Sequence, residues 1–357
     1  MKNYKFYSVL VALLAIGAVL TGCTKTPEQI YNDQASGVAL VLTQYYYSVE
    51  LDDGTTIYFS GVDDEGDMTD LAFDPDSITP SAAFGTAFFI DNNGTLLTNR
   101  HVANPVVDKG DVKKCINNLI SGLTALVRYY QDQMAAEYAK IDSRISQNQG
   151  YQYNPYTGDY DAVELAVNDE LREQQQALEE MYTEAENSVR QLRSINVNDI
   201  KIRTHSQIGI AYHDTYVTNP NDFKPCVVLK TSQDENVDLA LICLKDKKTP
   251  NGAFVFQMAD EKPLKLNDQL SMIGYNHGIE LAATREGIKA QLTTGNVSQK
   301  PDGERVMYTI SAMQGSSGSP VLNEYGEVVA VNFAKIRDTD NFNFGIPLNR
   351  IKQFLNR

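Results

Sequence analysis

Residues 84–102, Phe84-Gly85-Thr86-Ala87-Phe88-Phe89-Ile90-Asp91-Asn92-Asn93-Gly94-Thr95-Leu96-Leu97-Thr98-Asn99-Arg100-His101-Val102, set the frame for the rest of the chain. Apolar residues crowd both sides of Asn92-Asn93-Gly94, a turn signal, so the stretch predicts two strands joined by a tight turn, with His101 at the end of the second. On its N-terminal side, Gly37 to Leu51 is rich in Val, Leu and Tyr and reads as another strand. The strand pattern returns at 201–217, 225–231, 237–244, 269–275, 291–298, 305–311, 319–323 and 327–334, and Leu348 to Leu355 reads as a short terminal helix. Many short strands with turns between them predict an all-β barrel or sandwich.

One segment breaks that pattern. Ile116, Ile120, Leu123, Val127, Tyr130, Met134, Tyr138, Ile141 and Ile145 recur at steps of three and four, which marks one face of a helix. Residues 146–160, with Gly, Asn and Pro, interrupt it, and a second stripe follows at Leu171, Leu178, Tyr182, Ala185, Val189 and Leu192. The expected arrangement is an antiparallel helical hairpin, each arm about 50 Å long at 1.5 Å per residue. Its tip holds Tyr151, Tyr153, Tyr156 and Tyr160, side chains suited to a protein partner or equally to an exposed polar loop. Residues 51–76 carry nine acids and no base and read as a solvated surface loop.

The composition excludes several classes. Of 357 residues, 42% are hydrophobic and 22% charged, which fits a folded protein rather than a disordered one. A net charge of −15 repels nucleic acid. Four cysteines do not make a disulfide-stapled mini-fold. At the start, Lys2 and Lys5 precede an apolar run, Val9 to Leu20, too short for a permanent membrane span. It ends in Leu20-Thr21-Gly22-Cys23, which resembles a bacterial lipobox and implies lipidation of Cys23 and anchoring by acyl chains. Export implies an oxidising compartment. Cys226 and Cys243 flank a turn near Asp234-Glu235, either as a disulfide across two strands or as two separate buried thiols.

Three motifs carry chemistry: Thr98-Asn99-Arg100-His101-Val102, Val237-Asp238-Leu239-Ala240-Leu241 and Gly315-Ser316-Ser317-Gly318-Ser319-Pro320. A serine hydroxyl is a poor nucleophile at neutral pH and needs an adjacent base. His101 is the side chain able to take that proton and return it to a leaving amine. Asp238 would accept the other imidazole N–H and fix the tautomer, and the Gly315 and Ser317 N–H groups would converge on an oxyanion. His, Asp, Ser is the chymotrypsin order. His101 and Asp238 are 137 residues apart. Removing the helical stretch 109–200 leaves roughly 45, the separation in the chymotrypsin template. No His-Glu-x-x-His spacing exists, so neither a zinc site nor any other cofactor is expected.

Residues 84–102, 237–244, 269–278 and 305–348 resemble trypsin-like peptidases of the bacterial Deg type. Gly85 to Val102 is similar to that family's histidine segment, Asp268 to Tyr275 to its lead into a second barrel, and Phe344-Gly345-Ile346-Pro347-Leu348 to its closing strand. The Gly-Ser-Ser-Gly-Ser-Pro stretch is also similar to glutamyl endopeptidases. The resemblance implies a mainly β, chymotrypsin-like double β-barrel with the site between the barrels, here with a long inserted antiparallel α-helical hairpin. It implies a serine endopeptidase acting on peptides or unfolded proteins, with catalytic His101, Asp238 and Ser317 and an oxyanion hole of Gly315 and Ser317. By family position Ser311, Ala312, Asn332, Phe333 and Ala334 would shape the substrate pocket; none is acidic, which favours a small or medium apolar side chain there.

The expected organisation is a signal peptide at 1–22, a tether at 23–33, the peptidase domain at 34–108 and 201–357, and the hairpin at 109–200. No PDZ domain is expected after Arg357. Thr24, which is not Asp, points by family analogy to the outer membrane of a bacterial cell envelope. The alternative is a latent or non-catalytic lipoprotein of the same fold that binds a partner through its hairpin.

Overall fold

The computed structural model describes residues 24–164, 168–260, 262–335 and 342–356; Cys23 and the apolar run before it lie outside them. The chain forms two compact units. One contains the residues up to Tyr46, Pro80–Val106 and those from Thr204 on. The other is made of Tyr47–Thr79 and Val107–Arg203.

The first unit is built on two sheets. Strands β1 (Val38–Glu50), β2 (Ser81–Phe89), β3 (Thr95–Thr98), β4 (Lys201–Tyr212), β5 (Lys224–Thr231) and β6 (Ala240–Leu244) hydrogen-bond in the order β1-β2-β3-β6-β5-β4. β4 pairs back onto β1, so this sheet closes into a six-stranded barrel. Strands β7 (Gln269–Gly274), β8 (Gln291–Asn296), β9 (Val306–Tyr308), β10 (Pro320–Leu322), β11 (Val328–Lys335) and β12 (Asn343–Pro347) form the second sheet, ordered β8-β7-β10-β11-β12-β9. Its two ends meet at one bridge, Val297 to Tyr308, which curls it round. This mainly β architecture is consistent with the expected chymotrypsin-like fold.

The period-2 alternation of strands explains the apolar clusters. Along β1, Val38, Leu40 and Leu42 join one cluster while Ala39 and Val41 join another. On β2, Phe88 goes with the first set and Ala87 and Phe89 with the second. The first cluster also takes Ile273, Tyr275, Leu322, Val328, Val331 and Ile346 from the second sheet, so it is the layer that glues the sheets together. Strands apolar on both faces are the consequence, because one face lines a barrel and the other meets its neighbour.

The stretch expected as a tether instead carries helix α1 (Pro27–Gln34). Thr26 caps it by accepting from the Gln29 N–H, the Gln29 side chain answers to the Thr26 N–H, and Pro27 fills the first helical position. Ile30, 1% exposed, plugs the inter-sheet cluster. A second short helix, α2 (Arg100–Ala103), follows β3, so His101 sits on its first turn and not at a strand end.

In the other unit, helix α3 (Lys109–Gln147) is capped by Asp108, whose carboxylate accepts from the Gly110 and Asp111 N–H groups. It packs on α4 (Asn168–Ser194). Tyr138 bonds Glu179, Gln175 bonds Asp142 and Asn168 reaches the Ile145 carbonyl, a descending register that makes the two helices antiparallel. The break between them is a β-hairpin, Gln149–Asn154 against Asp159–Glu164, where the sequence pattern predicts an irregular polar segment. Alternating tyrosines favour the pleated strand, and Gly158, at φ 76°, supplies the turn. Residues 51–76 are likewise more ordered than expected: Thr56–Phe59 pairs with the far end of β1 and buries Ile57 and Phe59.

Cys226 pairs with Leu244 and Cys243 with Val227. That one-residue offset turns the two thiols to opposite faces of the sheet. Both are buried and free, which decides between the two sequence alternatives in favour of separate thiols.

Candidate active site

Antiparallel pairing brings the first two site residues together. Ala240 on β6 sits opposite Thr98 on β3, so the residues just before Ala240 run beside those just after Thr98. The Asp238 carboxylate takes two bonds from one residue: Oδ1 accepts the His101 backbone N–H at 3.0 Å, and Oδ2 lies 2.5 Å from His101 Nδ1. Asn99 Nδ2 and the Arg100 N–H both donate to the Asp238 carbonyl, at 2.8 and 3.3 Å. The Arg100 guanidinium fastens the approach to Asp238 through the carbonyls of Ser232, Asp234 and Glu235. Burial pushes the Asp238 carboxyl up, but the His101 ring bond and charge, the His101 N–H and the Arg100 charge outweigh it and leave it below the usual aspartate range. The imidazole itself stays half exposed, at 47% of its side chain, open to a reactant.

The third motif is the turn leading into β10. Gly315 and Gly318 hold φ of 92° and 89°, values that side chains rarely adopt. A Cβ on Gly318 would lie 2.1 Å from the Thr86 carbonyl and 2.5 Å from Thr98 Oγ1, so only glycine lets the turn press this closely on β2 and β3. Of the three serines, Ser316 and Ser319 are 1% and 0% exposed, and the Ser316 hydroxyl is spent on the Met313 carbonyl at 2.6 Å. Ser317 is the partly exposed one. Its carbonyl accepts from the Thr86 N–H at 2.8 Å. No hydrogen bond joins its hydroxyl to His101 among the described residues.

Neither the Gly315 nor the Ser317 N–H has an acceptor among the described residues. The Gln314 carbonyl accepts from the His277 N–H at 2.6 Å. A trans peptide points its N–H opposite its carbonyl, so this bond turns the Gly315 N–H away from the loop at Tyr275–Gly278.

The five residues expected around a substrate pocket divide. Ser311 is exposed and Ala312 buried; Phe333 packs against the inter-sheet cluster. The side chain of Ala334 lies outside the described residues. Asn332 is a correction: at 2% exposure it has no surface to offer a substrate. Its Nδ2 donates to the Ser316 carbonyl and hydroxyl, each at 3.1 Å, and its Oδ1 accepts from Tyr308 OH at 2.8 Å. It is a strut under the serine turn. Tyr308, wholly buried, also reaches the Phe344 carbonyl at 2.9 Å, and burial holds its phenol far above the usual range. Asn99, Thr86 and Asn276, whose Oδ1 accepts from the Met313 N–H at 3.2 Å, also support the site and have no role in the motif reading. Two of them, Thr86 and Asn99, sit inside the stretch that carried it, but a polar residue in an apolar run does not say what it bonds.

No cluster of His, Cys, Asp or Glu able to hold a metal ion occurs among the described residues. Residues 196–331 match the family model of the trypsin-like peptidase domain. The match begins beyond α4 and takes in Asp238 and Ser317 but not His101. No curated protein matches the chain. Residues 196–331 are thus similar to a trypsin-like peptidase domain, and the barrel fold is consistent with that likeness.

Proposed function

We propose that the protein is an exported serine endopeptidase held at the bacterial cell envelope by lipid on Cys23, most simply at the outer membrane. Ser317 attacks the scissile carbonyl while His101 takes its proton. The tetrahedral oxyanion lies on the Gly315 and Ser317 N–H groups. His101 then protonates the leaving amine, and water resolves the acyl-enzyme by the same proton route. Asp238 holds the imidazole with its proton on Nδ1. The observation that carries this reading is the two-bond grip of Asp238 on His101, which leaves Nε2 as the free acceptor.

A fluorophosphonate probe tests it: the wild type labels and Ser317→Ala does not. Failure of the folded wild type to label under any condition refutes it. The anchor is tested by mass spectrometry of the N-terminal peptide, with Cys23→Ser releasing the protein from membranes. No helix among the described residues is long and apolar enough to cross a membrane.

One observation favours a second reading. Tyr151, Tyr153, Tyr156 and Tyr160 at the tip of the helical pair are 53 to 97% exposed. They suit a latent peptidase-fold lipoprotein that docks a protein partner there. Folded protein that never labels, but binds a partner lost on changing these tyrosines to serine, would establish it.

A further inference from the structure

We propose that Thr86 is a positioning residue for the oxyanion-binding turn, an inference that rests on the serine-peptidase reading above. Thr86 lies on β2, in the first barrel, and is 0% exposed. Its hydroxyl donates to the Gly315 carbonyl at 2.9 Å and accepts from the Tyr275 N–H at 3.0 Å. Its own N–H donates to the Ser317 carbonyl at 2.8 Å. Its carbonyl accepts from Thr98 Oγ1 at 2.7 Å. One buried residue therefore holds the carbonyls of Gly315 and Ser317, and with them the peptide planes 315–316 and 317–318 that directly follow the two N–H groups facing the oxyanion position.

The geometry explains why such a clamp matters. Peptide units are planar, so fixing a carbonyl fixes the plane it shares with the next residue's N–H, and the two planes Thr86 holds flank the Ser316–Ser317 plane that carries the Ser317 N–H. The turn contains two glycines with positive φ, residues that rotate freely when nothing restrains them. The Gln314 carbonyl is held by a backbone N–H of the loop at Tyr275–Gly278, and the Ser316 carbonyl by Asn332. Among the described residues, the Gly315 carbonyl between them is held by the Thr86 hydroxyl alone, while the Ser316 N–H of the same plane donates to the Met313 carbonyl. The bond to Thr98, three residues before His101, ties the clamp to the strand that delivers the base. Hydrogen-bond donors aimed at a developing oxyanion act in the transition state and little in the ground state. Loosening them should lower turnover and leave substrate binding nearly unchanged.

The test uses purified full-length protein in mild detergent, with Thr86→Val and Thr86→Ala as hydroxyl-free variants, Thr86→Ser as the variant that keeps the hydroxyl, and Ser317→Ala as the inactive control. The expected result is a fall in kcat of about 10- to 100-fold for Thr86→Val with KM within about threefold, and recovery to within about threefold in Thr86→Ser. A peptidyl boronate should lose affinity in parallel with kcat. Amide exchange across residues 313–319 should quicken in Thr86→Val but not in Thr86→Ser. Wild-type kcat and boronate affinity in Thr86→Val, with Ser317→Ala inactive, overturn the clamp and leave the peptidase reading standing. Equal impairment of the Val and Ser variants also overturns it, since that would mark a packing role. If the wild type neither turns over nor labels, the peptidase reading fails, and exchange alone decides: unchanged protection in Thr86→Val removes the clamp, and selective loss retains it.

Discussion

Replacing Asp238 by Asn tests the site most sharply, because the backbone dictates which way the new amide must face. In the wild type, Oδ1 accepts the His101 N–H at 3.0 Å and Oδ2 faces Nδ1 at 2.5 Å. A backbone N–H can only donate, so the amide oxygen of the substituted side chain must remain opposite it. The amide NH2 then meets Nδ1 and forces Nδ1 to accept. The imidazole proton moves to Nε2, the nitrogen that must receive the serine proton. The opposite amide orientation sets NH2 against N–H and is excluded on the same ground. The cost should be that of the wrong tautomer, about 10⁴-fold in kcat or ~5.4 kcal/mol of barrier. Asp238→Ala imposes no tautomer and serves as the comparison. Peptide hydrolysis by the purified full-length protein is the assay. Asp238→Asn retaining more than about a tenth of wild-type kcat would refute the assignment of Asp238. Stability gives an independent check with a definite sign. The Asp238 carboxyl lies below its ordinary range, so its contribution is present above the unfolded aspartate pKa and is lost as pH falls through the folded value. The stability gap between wild type and Asp238→Asn should therefore narrow on acidification.

Gly318→Ala should abolish activity and destabilise the fold, because its Cβ would meet the Thr86 carbonyl at 2.1 Å with φ at 89°; wild-type melting and turnover would show that the turn is not pressed on β2. Cys226 and Cys243 should resist iodoacetamide under mildly alkaline conditions until the protein is unfolded, since burial pushes the Cys226 thiol up to about 12 and the Cys243 thiol above its usual value. Rapid alkylation of the native protein, or a mobility change on reduction, would contradict the separate buried thiols. A minimal chain in which short turns replace residues 47–79 and 107–203 should fold and keep the probe reactivity of Ser317. Both excisions close easily, as Tyr45 pairs with Ser81 and Thr204 Oγ1 donates to the Pro105 carbonyl at 3.1 Å. Aggregation of that chain in both reduced and oxidised buffer would show that the first unit depends on the second.

Elements with strong local signatures were legible before any fold was known. Steps of three and four located α3 and α4, because a helix repeats every 3.6 residues and its buried stripe must follow. Apolar runs broken at Asn92-Asn93-Gly94 located β2 and β3. The chain order of His101, Asp238 and Ser317 marked the candidate site, since that chemistry needs those three side-chain types. The capping pattern of α1, Thr26 with Gln29 and Pro27, is equally local and passes easily for polar linker. Whatever depends on register or on distant partners emerged only once the strands were paired. A one-residue offset in β5 against β6 parted the two cysteines. Asn332 became a strut and not a pocket wall because Tyr308, 24 residues away, meets its amide oxygen. Thr86 gained its partners from Gly315, 229 residues on, and Tyr275, 189 residues on. A side chain's type states what it can bond; only the folded backbone brings that bond within about 3 Å.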